Sequence, residues 1–446
     1  MRVDAQRETI AAIATAPGRG GVAIVRVSGA EAFRVAAALT GRRVAASRAG
    51  RFVHAVFRDA AGRALDDGLL LVFAGPRSYT GEDVVEFQGH GGRIAPRRVL
   101  EACLAAGARL ARRGEFTERA FLNGRLGLGA AEAVLDLIDA KTARAADDAR
   151  ARLDGAATRA LEDLYTAAVD LSARVEHALD FSEDELPPDF AATLRTALGD
   201  LRARIDRKAA TAREGRLLRE GALVVLAGAP NAGKSSLLNA LLGARRAIVS
   251  DEAGTTRDAL EEGLDVDGWP VRLVDTAGLR AATGAVEAEG VARARALIDE
   301  ADVVLHLVPW ATAPDDDAAP DARELRVWSK GDEVRALPPP RGAGVRVSSV
   351  TGEGLDDLRA ALTARLAALA ARGDEETGAD VTTRELEGLV TARAALDRTE
   401  GALVAGDWVV AANDLAAASS ALGRVLGKTY SDDLLTALFS RFCVGK

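Results

Sequence analysis

Cysteine and histidine are scarce in this chain of 446 residues. There are two cysteines, Cys103 and Cys443, and four histidines. Two cysteines cannot build a disulfide framework, and with so few histidines they offer too few ligands for a structural zinc site. This composition is typical of proteins in a reducing compartment, so we expect a cytoplasmic protein.

Long apolar runs are also missing. No stretch of the sequence approaches the roughly 20 apolar residues that a membrane-spanning helix needs. The segment Met1 to Glu8 contains no apolar run of the kind found in signal peptides. We therefore expect no membrane association.

The chain has no excess of positive charge. Lys and Arg number 58 against 66 Asp and Glu, which gives a net charge of −8. So acidic a chain is not a bulk nucleic-acid coat, although a local basic face could still hold RNA. Hydrophobic residues make up 48%, which excludes a disordered or fibrous protein. The length fits about three domains.

The composition changes three times along the chain. Residues 1–125 alternate short β-like runs with Gly-rich turns, which predicts an α+β N-terminal domain. Residues 126–220 show apolar residues at helical spacing, which predicts an all-α helical domain. Residues 221–373 alternate apolar strands with helices, which predicts an α/β domain with a mostly parallel sheet. Helical spacing returns in residues 374–446, so we predict that the α/β domain is inserted into one helical domain.

Individual elements follow from the apolar runs and from proline. A helix break is expected at Pro187-Pro188, because proline cannot continue a helix. The expected strands are Val22 to Val27, Leu69 to Phe73, Asp83 to Phe87, Ala222 to Ala227, Val271 to Val274, Val303 to Val308, Leu325 to Trp328 and Val345 to Val347.

A phosphate-loop motif opens the α/β domain. Gly228 to Ser235 reads GAPNAGKS and fits G-x-x-x-x-G-K-[ST] without mismatch. It follows an apolar strand and precedes a helical run, a context that a chance Gly-rich turn lacks. Its backbone N–H groups and the helix N-terminus suit a phosphate. Lys234 would reach the β and γ phosphates, and the Ser235 hydroxyl would ligate Mg²⁺.

A second motif, Asp275-Thr276-Ala277-Gly278, ends another apolar strand. An Asp at a strand tip can hold Mg²⁺ through water, and the Gly278 N–H can meet the γ-phosphate. Alone, the same residues could form an ordinary Asp-initiated turn. Following a phosphate loop, they indicate a nucleoside triphosphatase.

Two later motifs specify the base. In Ser329-Lys330-Gly331-Asp332, the Asp332 carboxylate can accept hydrogen bonds from two guanine nitrogens, which adenine does not offer. Ser329 stands where this motif usually has Asn. Ser348 and Ser349 occupy the usual place of a turn behind the base. The four motifs, in this order, resemble those of the translation-factor class of GTPases and favour GTP over ATP.

Hydrolysis needs a water-orienting group and a source of positive charge. Many GTPases place Gln after the second motif, but this chain has Leu279, which cannot orient water. Asn231 and carbonyl groups of the candidate switch, Ser250 to Asp258, could hold a monovalent cation. Asn231 could instead simply brace the phosphate loop. We expect K⁺, but not Na⁺, to accelerate hydrolysis.

The motifs predict which residues bind the nucleotide and the two metal ions. Mg²⁺ would bind Ser235 and Thr256. K⁺ would bind Asn231, Ser250, Glu252 and Thr255. The expected GTP-binding residues are Asn231, Ala232, Gly233, Lys234, Ser235, Ser236, Ser250, Asp251, Glu252, Ala253, Gly254, Thr255, Thr256, Asp275, Thr276, Ala277, Gly278, Ser329, Lys330, Asp332, Ser348 and Ser349.

Five long segments lie outside these motifs and do not belong to GTPases in general. They are Ala16 to Val22 (APGRGGV), Ser78 to Asp83 (SYTGED), Phe87 to Gly92 (FQGHGG), Gly114 to Asn123 (GEFTERAFLN) and Phe442 to Lys446 (FCVGK). With these segments, the whole chain resembles the MnmE (TrmE) family of tRNA modification GTPases.

The resemblance implies a fold and a reaction. It implies a folate-binding N-terminal domain that forms a homodimer, a helical domain and an inserted P-loop GTPase domain with K⁺-dependent pairing. It also implies a heterotetramer with MnmG, a flavoprotein that carries FAD. The joint reaction attaches an aminomethyl-type group at C5 of the tRNA wobble uridine. The one-carbon unit comes from a tetrahydrofolate, in the 5-formyl or 5,10-methylene form.

Site residues outside the motifs are also implied by the resemblance. Arg26, Glu86, Arg125 and Lys446 match folate-contacting positions, with Arg125 where the family commonly has Lys. Cationic groups suit the folate carboxylates, and Glu86 suits donor nitrogens of a pterin. From the residues alone, Arg26 and Glu86 would instead be surface charges at strand ends.

For two residues, the catalytic role that the resemblance implies differs from the role that the residue type alone indicates. Glu287 matches the general base of the family, and Cys443 matches a required cysteine. By themselves, Glu287 would be a solvated glutamate at a helix start, and Cys443 a small buried hydrophobe. Cys103 is expected to be buried packing, and His90 has no assigned role.

Two other functions share the phosphate loop. One is a switch or ribosome-assembly factor whose output is partner binding, which would not need the N-terminal segments or the Phe442 to Lys446 tail. The other is a P-loop ATPase, which conflicts with Asp332.

Overall fold

The computed structural model describes most of the chain. The described residues are 8–180, 187–244, 261–275, 285–312, 321, 323–333, 342–370 and 381–446, with only the backbone of residues 48, 244, 285–291 and 293. Two compact units are present: Met1–Leu135 with Leu426–Lys446, and Asp136–Val425. The predicted boundaries at 125, 220 and 373 stay predictions.

The first unit contains a six-stranded sheet. Its spatial order is β3-β4-β5-β2-β1-β6, antiparallel except for the parallel pair β1 and β6. The strands are β1 (Ile10–Ile13), β2 (Val22–Ser28), β3 (Arg51–Arg58), β4 (Ala64–Phe73), β5 (Val84–His90) and β6 (Arg109–Leu110).

Two helices, α1 (Ala32–Thr40) and α2 (Ala95–Ala105), pack on one face of this sheet. Side chains alternate along each strand, so every second residue joins the core between sheet and helices. Phe57 and Phe87 meet edge to face there, with ring centroids 5.2 Å apart. Cys103 is fully buried in this core, as expected.

The end of the chain packs against the first unit. Helix α3 (Glu115–Leu122) and the start of α4 (Leu128–Asp139) share an apolar cluster with α14 (Asp432–Phe439) and Phe442. Tyr430 also meets Phe121, at 5.2 Å between ring centroids. The C-terminal residues therefore belong to the N-terminal unit by their packing.

The second unit contains a helical part. A capping box begins one of its helices, because the Thr382 side chain accepts from the Glu385 N–H and the Glu385 side chain accepts from the Thr382 N–H. Pro187 and Pro188 fall between two helices, as predicted. The helices are α5 (Ala143–Leu153), α6 (Ala156–Leu179), α7 (Phe190–Ala210), α8 (Ala212–Glu220), α12 (Thr383–Val404) and α13 (Trp408–Val425).

An α/β part lies between α8 and α12 in sequence. Its sheet has the order β12-β11-β10-β7-β9-β8, parallel except for the antiparallel pair β8 and β9. The strands are β7 (Ala222–Gly228), β8 (Glu261–Val266), β9 (Trp269–Asp275), β10 (Val303–Pro309), β11 (Glu324–Ser329) and β12 (Val345–Arg346), and the helices are α9 (Lys234–Ala244), α10 (Ala285–Glu300) and α11 (Leu355–Ala370).

The turn between β8 and β9 contacts the helical part. Asp267 and Gly268 both have positive φ, 49° and 89°, as a tight two-residue hairpin turn requires. Thr142 donates a hydrogen bond to the Gly268 carbonyl over 2.8 Å. The Arg144 guanidinium lies 3.9 Å from the ring centroid of the buried Trp269. Helix α5 thus holds the tip of this hairpin.

The observed strands confirm all eight predicted apolar runs. The architecture is confirmed as well: an N-terminal α/β domain, a helical domain and an α/β domain with a mostly parallel sheet between two parts of the helical domain. Strand β8 was not predicted, nor were β1, β3 and β6. Within the part of the chain that the structure describes, no helix combines the length and apolar character needed to cross a membrane.

Candidate functional site

The phosphate loop lies between β7 and α9. Its backbone turns through positive φ at Gly228, Asn231 and Gly233. A side chain at Gly228 would collide with the Leu307 carbonyl on the neighbouring strand β10. Only glycine fits there, so the loop can turn tightly and present its N–H groups inward at the start of α9.

Lys234 is the first residue of α9 and is buried. Its ammonium donates to the carbonyls of Gly228 and Ala229, at 3.0 and 2.8 Å. The Lys234 ammonium therefore lies inside the loop, where the nearby N–H groups also attract a negatively charged ligand. This is the arrangement that a polyphosphate needs.

Ser235 of α9 contacts Asp275 at the end of the neighbouring strand β9. Register places Leu226 of β7 opposite Asp275, so the tip of β9 lies beside the phosphate loop. The Ser235 hydroxyl donates to Asp275 Oδ2 over 2.6 Å, and Asp275 is buried. A hydroxyl and a carboxylate beside a phosphate site form a donor set that suits Mg²⁺.

Ser329 braces the phosphate loop at the end of β11. Its hydroxyl donates to the Ala232 carbonyl over 2.7 Å, and the residue is buried. The usual Asn is therefore replaced by a shorter side chain that still contacts the loop. The next residue, Lys330, has φ of 58°, which turns the chain toward Asp332.

Asp332 is held by the turn after β12. The Ser348 hydroxyl donates to Asp332 Oδ1 over 2.6 Å and accepts from the N–H groups of Val350 and Thr351. Ser349 lies within this turn. The predicted base-recognition residues are thus brought together at the carboxyl ends of parallel strands, where ligands of α/β sheets bind.

The other predicted residues of the GTP site are described to different extents. Ser236 lies in the first turn of α9, beside Lys234 and Ser235, and is exposed. Of Glu287, only the backbone is described, within α10. Outside the described residues lie Ser250, Asp251, Glu252, Ala253, Gly254, Thr255, Thr256, Thr276, Ala277 and Gly278.

A second group of predicted residues meets on the N-terminal sheet. Arg26 on β2 and Glu86 on β5 are paired by register, and Arg26 Nε donates to Glu86 Oε1 over 2.8 Å. The Arg26 guanidinium also lies over the rings of Tyr79 and Phe116, at 5.5 and 5.6 Å from their centroids. The pair is largely enclosed, with both side chains less than a fifth exposed.

The last residue of the chain reaches this group. Phe116 N–H donates to the Lys446 carbonyl over 3.2 Å. Burial lowers the pKa of the Lys446 ammonium, the Arg26 charge lowers it further, and Glu86 opposes them. The Lys446 backbone thus contacts Phe116, whose ring also faces Arg26. We call Lys446, Arg26 and Glu86 the charged cluster.

The tail is fixed on both sides of Cys443. Arg113 Nε donates to the Phe442 carbonyl over 2.8 Å, and the Gly114 N–H donates to the Cys443 carbonyl over 3.3 Å. Cys443 itself is exposed. The assignment of Cys443 as a small buried hydrophobe, made from the residue alone, is therefore wrong, because the backbone around it is anchored while its thiol faces outward.

Arg125 contacts a different loop. Its Nε donates to the Ser78 carbonyl over 3.1 Å, and its side chain packs against Gly81. Arg125 thus contacts the segment that also carries Tyr79.

Sequence reasoning missed the aromatic members of this group. The hydroxyl of the partly buried Tyr79 is hydrogen-bonded to the Thr117 hydroxyl at 2.8 Å, and desolvation raises the pKa of this tyrosine. Tyr79 and Phe116 lie in segments that were noted only for their resemblance. Apolar rings beside charged residues in a Gly-rich segment could have indicated a binding surface.

The segments Ser78 to Asp83 and Gly114 to Asn123 also carry a buried charge network. Arg119 donates to both carboxylate oxygens of Glu82 and to Glu115, and Glu82 accepts from the Ser28 hydroxyl. Glu115 is paired with Arg109 through two hydrogen bonds. Buried charges need such partners, which explains the many charged residues of these two segments.

The second unit is thus a P-loop GTPase domain inserted in a helical domain. Two family profiles match the chain: "GTP-binding protein TrmE N-terminus" over residues 9–125 and "MnmE helical domain" over residues 128–443. The chain belongs to the MnmE family of tRNA modification GTPases.

Relatives match over the full length. The tRNA modification GTPase MnmE of Xanthomonas campestris pv. campestris strain B100 is 44% identical, with 100% of both chains covered. That of Pseudomonas syringae pv. tomato is 45% identical, with 99% of each covered. Among solved structures, the G domain of the T. maritima FeoB iron transporter aligns at a TM-score of 0.23 with 26% identity, over 33% of this chain and 98% of that one.

Proposed function

We propose that this chain is a K⁺-dependent GTPase that installs an aminomethyl-type (carboxymethylaminomethyl) group at C5 of the tRNA wobble uridine. It works as a homodimer within a heterotetramer with MnmG, in the cytoplasm, and FAD stays on that partner. The one-carbon unit comes from 5-formyl- or 5,10-methylene-tetrahydrofolate. The observation that carries this proposal is the contact of the C-terminal tail with the N-terminal domain, which brings Lys446 to Arg26 and Glu86.

The charged cluster fits a folate. Arg26 and Lys446 supply cations for the carboxylates of a folate, and Glu86 supplies an acceptor for the donor nitrogens of a pterin ring. The rings of Tyr79 and Phe116 supply apolar surface for a flat heterocycle. Arg125 adds a further cation on the Ser78 side. We propose that Cys443 acts beside the bound one-carbon group.

Equilibrium binding of 5-formyl-tetrahydrofolate to the full chain tests the folate site. We expect Glu86→Gln and Lys446→Ala to weaken binding at least tenfold, because each removes a charge-assisted hydrogen bond. Glu101→Gln is the matched control, since this exposed glutamate pairs with Arg97 on α2. Equal affinity of the three variants and the parent would rule out a folate site at this cluster.

The GTP site would work through two metal ions. Ser235 and Thr256 would hold Mg²⁺, with Asp275 acting through water. Asn231, Ser250, Glu252 and Thr255 would hold K⁺, which would supply positive charge beside the phosphates. Lys234 adds positive charge at the same place, and Glu287 acts as general base through water.

Steady-state GTP hydrolysis in K⁺ and in Na⁺ tests this mechanism. We expect K⁺ to raise kcat over Na⁺ at least tenfold, and Asn231→Ala to remove that difference. Glu287→Ala should lower kcat while GTP affinity stays within twofold, because a base acts only on the reacting water. Equal turnover in the two salts would exclude the K⁺ mechanism and leave the folate proposal standing.

An open sheet face supports the homodimer. Phe52 on the edge strand β3 is 71% exposed. Leu69 is partly exposed and pairs with His54, two residues from Phe52, so Leu69 and Phe52 lie on one face. This face is opposite the helices α1 and α2, where a second copy of the N-terminal domain can pack.

A further inference from the structure

Two of the four histidines of the chain lie next to two consecutive aspartates. His54 is on β3, Asp66 and Asp67 are on β4, and His90 ends β5. All four residues therefore come from three adjacent strands of the N-terminal sheet. We call Asp66, Asp67, His90 and His54 the β4 rim cluster. It contains no residue of the nucleotide or folate sites.

The ligand atoms of this cluster converge. His90 Nδ1 lies 2.7 Å from Asp66 Oδ1, and His54 Nε2 lies 2.9 Å from Asp67 Oδ2. One ligand atom each of Asp66, Asp67 and His90 lies within 4.8 Å of the other two. Among the described residues, this is the one group of three or more metal-ligating side chains that meet so closely.

Asp66 is held rigidly by the backbone. Its Oδ2 accepts from the His90 N–H over 2.8 Å, and its Oδ1 accepts from the Asp67 N–H over 2.9 Å. Its side chain is only 9% exposed. Oδ2 keeps a second lone pair, and Oδ1 regains one when His90 Nδ1 turns to the ion. The two backbone N–H groups then orient Asp66 as outer-shell donors do in metal sites.

We propose that Asp66, Asp67 and His90 bind one divalent transition ion of the Zn²⁺ class. A set of one imidazole and two carboxylates suits Zn²⁺ better than Mg²⁺ or Ca²⁺, which prefer oxygen ligands alone. Water completes the coordination, and His54 orients Asp67 from outside. With zinc bonds of about 2.1 Å and tetrahedral angles, His90 Nδ1 and Asp66 Oδ1 must stand about 3.4 Å apart. These two atoms are now 2.7 Å apart, so they would have to separate.

Such an ion would join the ends of two neighbouring strands, β4 and β5. Asp66 and Asp67 are at one end of β4, where β3 and β4 shift register between Phe57 and Arg58. The pairing of β4 with β5 covers Leu69 to Phe73, so Asp66 and His90 lie just beyond it. The ion would link β4 to β5 where this ladder has ended.

Equilibrium dialysis of the full chain with Zn²⁺ tests the proposal. The protein carries Cys443→Ser to remove the exposed thiol, and saturating Mg²⁺ and GDP fill the GTP site. We expect one tightly bound Zn²⁺ per chain. His90→Ala and Asp67→Asn should each weaken binding at least tenfold, and His54→Ala should weaken it less. Co²⁺ in the same site should give a visible absorption band that His90→Ala removes.

His306→Ala provides the matched control. His306 pairs with Glu324 at 2.8 Å, a single histidine–carboxylate pair of the same kind. We expect this variant to bind Zn²⁺ like the parent. No binding at micromolar Zn²⁺, or the same affinity in the parent, His90→Ala and Asp67→Asn proteins, would overturn the proposal and leave the β4 rim cluster as hydrogen bonding alone.

Discussion

At the scale of residues, three serine hydroxyl groups connect the motifs of the GTP site. Ser235 contacts Asp275, Ser329 contacts Ala232, and Ser348 contacts Asp332, each over 2.6 or 2.7 Å. A short hydroxyl has few rotamers to lose, so each contact orders its partner at low entropic cost. The replacement of the usual Asn by Ser329 keeps the contact with the phosphate loop.

Ser329→Ala should weaken nucleotide binding. The variant removes one buried hydrogen bond, worth about 1 kcal/mol, or about fivefold in affinity. Because the bond braces the phosphate loop, GDP and GTP should be affected alike. Titration of a fluorescent GDP and a fluorescent GTP analogue measures both, with Ser420→Ala as the control, because this exposed serine on α13 contacts the Arg424 side chain of the next turn. Unchanged affinity would mean that Ser329 does not support the loop.

At the scale of elements, the C-terminal tail packs against the loop before α3. Gly114 has φ of 67°, and a Cβ there would collide with the Phe439 carbonyl at the end of α14. The same turn donates to the Cys443 carbonyl. The absence of a side chain at Gly114 therefore lets the C-terminal helix and the tail approach α3.

Gly114→Ala should loosen this contact. We expect faster hydrogen exchange in α14 and the tail, since the variant combines backbone strain with a collision. Gly124→Ala is the control: Gly124 has a similar φ of 69°, but its Cβ would have nothing within 4 Å. Equal effects of the two substitutions would show that backbone strain alone matters.

The buried network around α3 should respond to acid. Burial tends to raise the pKa of Glu115, but hydrogen bonds from Arg109 and the Arg112 N–H lower it to about 2. The stabilisation is therefore complete above the usual value of 4.5 and is lost as pH falls toward 2. Hydrogen exchange in α3 should be slower in the parent than in Glu115→Gln at pH 7, with a smaller difference near pH 3. A difference independent of pH would contradict this.

The motifs of the GTP site could be predicted because they are local. Each lies at the end of an apolar strand, and parallel strands bring their carboxyl ends together. Strand β8 was missed because it is an edge strand with its first half exposed. The Asp267-Gly268 pair after it is a typical hairpin signal and could have indicated it.

The N-terminal site could not be assembled from the sequence by physical reasoning. Arg113 and the Phe442 carbonyl are 329 positions apart, and no periodicity connects them. Without the resemblance, Arg26 and Glu86 would be interpreted as surface charges at strand ends. The exposure of Cys443 depends on the same long-range contact, so the residue type alone gave the wrong assignment.

At the scale of the whole molecule, the second unit explains how the GTPase domain is inserted. Arg219, just before β7, donates to the Val381 carbonyl, just before α12, over 2.8 Å. The entry and exit of the inserted domain are therefore adjacent, as insertion requires. Arg216 pairs with Asp302 at the start of β10. These contacts lie at the amino ends of the strands, opposite the GTP site.

The central claim is that this GTPase modifies the wobble uridine of tRNA. The most direct measurement is mass spectrometry of nucleosides from total tRNA of a strain that lacks the gene. We expect the aminomethyl-type 5-substituted uridines to disappear, to return with the wild-type gene, and not to return with a Cys443→Ser copy. Unchanged nucleosides in the deletion strain, with no second copy of the gene present, would contradict the account and favour a GTPase switch whose output is partner binding.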